Sequence, residues 1–133
     1  IVTEQTAEWN AEKAQQIVQS VIDSGQAFNV IYAENDDMAK GAVAALDKAN
    51  ISHGVGKDVI VMGFDCNKWA LEELLNQNWN YDGQCNPYQA SYIEDVIKKL
   101  ESGEKIDEKT IIMDEKGFDA TTITQDDVDQ FGI

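Results

Sequence analysis

"AFNVIYAENDDMAKGAVAAL", residues 27–46, changes its hydrophobic period halfway along. The first seven residues, "AFNVIYA" (27–33), are nearly continuous in apolar character, as in a strand buried on both faces of a parallel sheet. From Met38 onward the apolar residues Met38, Ala42, Ala45, Leu46 and Ala49 recur at helical spacing. Between strand and helix stand three polar side chains, Asn35, Asp36 and Asp37. The same switch recurs at "DVIVMGF" (58–64), which leads through Asn67, a candidate cap, to a short helix carrying Leu71, Leu74 and Leu75. Upstream, Ala14, Ile17, Val18, Val21 and Ile22 form a helical stripe that Gly25 can end.

Downstream, "CNPYQASYIEDVIKKLESGE" (85–104) places Asn86 as an N-cap and Pro87 as the first helical residue. Tyr92, Ile93, Val96, Ile97 and Leu100 then make one apolar face, and Gly103 closes it. "KTIIMDE" (109–115) reads as a last core strand and "TQDDVDQFGI" (124–133) as a capped terminal turn of helix. Alternating strands and helices predict an α/β fold with an open, doubly wound parallel sheet. In such sheets ligands lie beyond the carboxyl ends of the strands, where "ENDD", "FDCN" and "GQCN" fall.

A chain of 133 residues, 43% of them hydrophobic, has the length and apolar content of one domain, here 1–133. Ten basic against 25 acidic residues leave a formal charge of −15, which repels phosphate backbones and anionic membranes. No nucleic acid partner is expected. No run approaches the roughly 20 apolar residues of a membrane span. Cys66 and Cys85 lack metal-type spacing. They permit a Cys66–Cys85 disulfide, if consecutive strand ends bring them together, or two buried thiols.

Asn35 offers a donor and an acceptor from one planar group, and Asp65 offers two acceptors; together they suit vicinal hydroxyls. Helix capping is the simpler reading for Asp36 and Asp37. It explains Asn35 and Asp65 less well, because each directly follows a strand. Trp9 lies outside the 14, 17, 18, 21, 22 stripe, so its ring either packs in the core or stacks on a ligand. Trp69 and Trp79 read as packing residues and His53 as a surface residue. The sequence holds no Gly-rich phosphate loop, HExxH, GxSxG or suggestive Cys/His pair, so no enzyme, metal or cofactor is expected. A phospho-acceptor receiver domain would have to use Asp36, Asp37, Asp65 and Lys109. That fit is poor, because Lys109 precedes its strand rather than ending it.

"NVIYAENDDMAKGAVAAL", "DVIVMGFDCNKWALEEL" and "YDGQCNPYQASYIEDVIKKLESGE" together resemble, in order and spacing, the second half of the type I periplasmic sugar-binding proteins of ABC importers, the ribose, galactose and galactofuranose group. The resemblance implies a carboxy-terminal portion of a two-lobe protein. Its function would be to capture a monosaccharide between the lobes and deliver it to an ABC permease outside the cytoplasm, in the periplasm or lipid-anchored on the outer face of the membrane. It implies that Asn35 and Asp65 bond sugar hydroxyls, that Phe64 lies near the pocket and that Trp9 stacks on the ring. Cys85 falls near the hinge, where ribose binders carry a Gln that Gln84 would replace. Family members commonly place an Arg two residues after the stacking aromatic; here that position is Ala11, which leaves the sugar unnamed. The 86–105 helix would cross toward the other lobe, and without that lobe the chain is expected to self-associate. LacI-type repressor effector domains share the Asn and Asp motifs and are the alternative implied by the resemblance.

Overall fold

A computed structural model describes residues 1–107 and 109–133. The helix stripe at 14–22 becomes α1 (Ala11–Asp23), capped by Asn10, whose side chain accepts from the Lys13 N–H. There follow β1 (Val30–Tyr32), α2 (Asp36–Lys48), β2 (Ile60–Asp65), α3 (Lys68–Leu75), β3 (Tyr81–Gln84), α4 (Ala90–Glu101), β4 (Gly117–Asp119) and α5 (Gln125–Phe131). The four strands lie in the order β1-β2-β3-β4, with β1, β2 and β3 parallel and β4 antiparallel to β3. The open, largely parallel α/β sheet expected from the sequence is present, with α2 and α3 as its crossovers.

Strand register sorts the side chains onto two faces, since neighbours in register point the same way. Ile31 pairs with Val61, and Gly63 pairs with Asp82, which pairs with Phe118. Helices α2 and α3 pack over this face. With Leu46, Leu71, Leu74, Trp79 and Val128, its side chains make the core. Val30 and Ile60 share the opposite face, as do Tyr32, Met62 and Tyr81. That face lies open: Tyr32 is 60% exposed and Val30 47%. "AFNVIYA" reads as buried on both faces, but only one is covered in this chain.

Three expectations need correction. Residues 109–115 form no strand, and Ile112 is 84% exposed. The ladder position beside β3 goes to Gly117–Asp119, because only there can an apolar ring, Phe118, enter the core opposite Asp82. The helix after Pro87 starts later than expected, at Ala90 with Gln89 as its N-cap. Asn86 instead closes a local turn, its side chain accepting from the Tyr88 N–H at 2.8 Å. His53 is no free surface residue: its ring nitrogens lie 2.8 Å from the Asn78 carbonyl and 3.1 Å from Asp47.

Candidate functional site

The turn from β1 into α2 is built by Asn35. Its backbone is extended, and Oδ1 accepts from the Met38 N–H at 2.9 Å, closing the first turn of α2. The cap is therefore Asn35, not Asp36 or Asp37 as the simpler reading had it. Capping occupies the acceptor of the amide and leaves its Nδ2 donor without a protein partner among the described residues. Asn35 is only 9% exposed.

Asp65 ends the neighbouring strand β2. It is a non-glycine residue at φ 130°, followed by Cys66 at 62°, so the β2–α3 loop leaves the sheet through two strained residues. Burial raises the Asp65 pKa; the Asp36 backbone N–H works against that rise and the nearby Asp37 charge adds to it. The Asp65 carboxylate thus faces the first residue of α2, beside Asn35. The structure brings these two candidates together at the carboxyl ends of adjacent parallel strands, where the topology predicts a binding site.

Asp36 does something different. It is fully buried, and its Oδ2 accepts from the Asn67 backbone N–H at 2.8 Å and from Asn67 Nδ2 at 3.1 Å. Asn67 therefore makes no side-chain cap for α3, whose first N–H is met instead by the carbonyl of Ile133. Asp82, in β3, is also fully buried and accepts from the Cys66 thiol at 3.8 Å. Burial raises both acids, Asp36 to about 6 and Asp82 to about 9.

Phe64 lies on the open sheet face, its ring centroid 5.2 Å from that of Tyr32 and 6.5 Å from that of Tyr81. Gln84 ends β3, its backbone N–H donating to the Lys116 carbonyl at 2.8 Å and its Oε1 accepting from the Lys116 N–H at 3.3 Å. Cys85 follows, exposed. Trp9 precedes α1 at φ 53° and turns its ring to solvent, 76% exposed. The core-packing reading of Trp9 is therefore excluded. The Cys66–Cys85 disulfide is not formed: both thiols are free, Cys66 buried against Asp82 and Cys85 on the surface. Nor are they two buried thiols. The receiver reading also loses its geometry, since Asp36 is sealed in the interior and Lys109 is exposed. Among the described residues no group of three side chains is placed to hold a metal ion.

Sequence reasoning missed the Asp36–Asp82 relation and the role of Asn67. The only available signal was an aspartate inside "YDGQ", a short strand whose buried positions are Asp82 and Gly83 rather than apolar residues.

The sheet order, crossover helices and strand-end loops define a type I periplasmic-binding-protein-like α/β domain. Residues 1–105 match the periplasmic binding protein domain model, and the chain belongs to that family. It is 29% identical over 124 residues to a fructose import binding protein of Bifidobacterium longum, covering 92% of this chain and 36% of that protein. A ribose import binding protein of Bacillus subtilis is 32% identical over 77 residues, 58% of this chain and 23% of that protein. Among solved structures, the periplasmic binding protein of the arabinose ABC transporter of Shewanella sp. ANA-3, bound to α- and β-L-arabinofuranose, superposes with a TM-score of 0.81 at 25% identity. That match covers 91% of this chain and 40% of that one. The chain thus spans about a third of the length of the fructose relative.

Proposed function

We propose that this chain is the carboxy-terminal part of a two-lobe solute-binding protein that encloses a monosaccharide and delivers it to an ABC permease outside the cytoplasm. The compartment is the periplasm, or the outer face of the membrane through a lipid anchor. The observation that carries the reading is the juxtaposition, at adjacent strand ends, of the free Asn35 amide donor and the Asp65 carboxylate. A vicinal diol presents both an acceptor and donors to such a pair. Family membership and the fructose and ribose import for which two relatives are named support a monosaccharide.

In this reading Phe64, Gln84 and Cys85 border the pocket, and the exposed Trp9 ring is free to stack on the sugar. Helix α4, which buries no residue here, crosses to the other lobe. Lobe closure about the hinge then removes the sugar from water. The role is binding, not catalysis.

Calorimetric titration of the two-lobe protein with a panel of pentoses and hexoses tests the site. Asn35→Ala and Asp65→Ala should each weaken the bound sugar by roughly 1–3 kcal/mol, because a buried hydroxyl loses its partner. Unchanged affinity in both variants would remove the assignment.

A further inference from the structure

Asp36 and Asp82 reach one point beneath the sheet from different elements, α2 and β3. Both are fully buried, yet Asp36 Oδ1 and Asp82 Oδ2 have no conventional partner among the described residues. The two carboxyls lie within hydrogen-bonding reach of each other. Two carboxylates present only acceptors, so that contact exists only if one of them carries a proton. A single proton satisfies both orphaned oxygens at once. Two ionised groups would leave adjacent buried negative charges. The space is reserved for them: a Cβ on Gly63 would stand 2.6 Å from Asp36 Oδ1.

The remaining oxygens of the pair both hold the loop after β2. Asp36 Oδ2 takes the Asn67 backbone and side-chain N–H groups, and Asp82 Oδ1 takes the Cys66 thiol. This is the loop whose Asp65 and Cys66 occupy positive φ, a conformation that persists only where its surroundings enforce it. We propose that Asp36 and Asp82 form one singly protonated acid pair that positions the strained 65–67 loop, and with it the Asp65 carboxylate. The inference rests on the site reading above only in the use to which Asp65 is put. Both acids are positioning residues.

The groups acting on the pair are the Asp65 carboxylate, which raises both acids, and the N–H groups of the β2–α3 loop, those of Asn67 on Asp36 and the Cys66 backbone on Asp82, which lower them, with Asp37 of α2 acting on Asp65 in turn. No lysine is among them, and the N–H bonds stabilise one negative charge on the pair without offsetting the burial of a second.

Carboxyl-carbon NMR and amide hydrogen exchange on the labelled protein test the pair without any sugar, so this result and the binding result stand or fall separately. In the wild-type chain one carboxyl should stay protonated between about 6 and about 9. The Asn67 amide should be protected. Asp36→Ala should speed Asn67 exchange about tenfold, the loss expected for one buried bond to a charged acceptor. Asp36→Asn keeps an acceptor for Asn67 and offers an amide donor to Asp82, so it should restore protection. It should also abolish the upper titration step, a result that mere space-filling would not give. If both carboxyls are ionised at neutral pH, or if Asn67 exchange is unmoved in Asp36→Ala, the pair does not hold the loop.

Discussion

At the scale of single residues, Asp82 links the interior to pH. Its folded pKa, about 9, lies far above the ordinary carboxylate value of 3.8, mainly because burial disfavours the charge. The folded chain therefore keeps a proton that the unfolded chain has already released. Its stabilisation is complete below the unfolded value and is lost as pH rises toward about 9. Asp36 acts in the same direction up to about 6. Urea unfolding across this range should show stability falling with pH, and Asp82→Asn should flatten the slope above about 6. An unchanged slope would place the titration elsewhere. Gly63 gives a second residue-scale prediction. A Cβ there would press on Asp36 Oδ1 at 2.6 Å and on the Trp79 ring at 2.9 Å. Gly63→Ala should cost roughly 1–3 kcal/mol in the same urea experiment, the usual penalty of overpacking. Asn35 and Asp65 could be picked out in the sequence because polar residues directly after apolar strands stand out locally. The Asp36–Asp82 pair could not, since its partners meet only when β3 comes to lie beside β2.

At the scale of elements, α1 and α2 pack closely enough that their contact depends on one missing side chain. A Cβ on Gly41 would lie 2.0 Å from the carbonyl oxygen of Ala11, a backbone atom that cannot swing aside. Two effects compete in Gly41→Ala. Helix propensity favours alanine by about 1 kcal/mol. Separating two packed helices costs roughly 1–3 kcal/mol, so a net loss is expected. Thermal unfolding decides it, and a stabilised variant would show that α1 does not sit as described. The helical stripes of α1 and α2 were legible because each repeats over several turns. The last strand was not: "KTIIMDE" has the stronger β composition, but Ile111 and Ile112 find no cover, while the single ring of Phe118 does. Tertiary burial overrode local propensity there.

At the scale of the whole molecule, two apolar surfaces remain bare. One is the open sheet face of Val30, Tyr32, Ile60, Met62 and Phe64; the other is the α4 stripe, where Ile93 is 55% exposed and Leu100 59%. Helix α4 does not fold back onto that sheet face, although described segments without helix or strand flank it on both sides, at 85–89, 102–107 and 109–116. Contiguous exposed apolar area of this kind favours association, and an edge strand such as β1 adds unpaired backbone groups. A second copy offers the complementary partner for each surface, the α4 of one chain lying on the sheet face of the other, in the manner of exchanged elements. Charge opposes this, because each copy carries −15. The opposition is screened: the Debye length falls from about 30 Å at 0.01 M salt to about 8 Å at 0.15 M, whereas apolar burial does not weaken with added salt. Sedimentation of this 133-residue chain should therefore show dimers that strengthen as salt is raised, and Ile97→Glu on α4 or Tyr32→Glu on the sheet should each return monomers. With one wall of the proposed pocket absent, the same samples should bind monosaccharides only weakly, because the ring stays wet. A chain that is monomeric at high salt and binds a sugar at micromolar affinity would overturn both expectations at once.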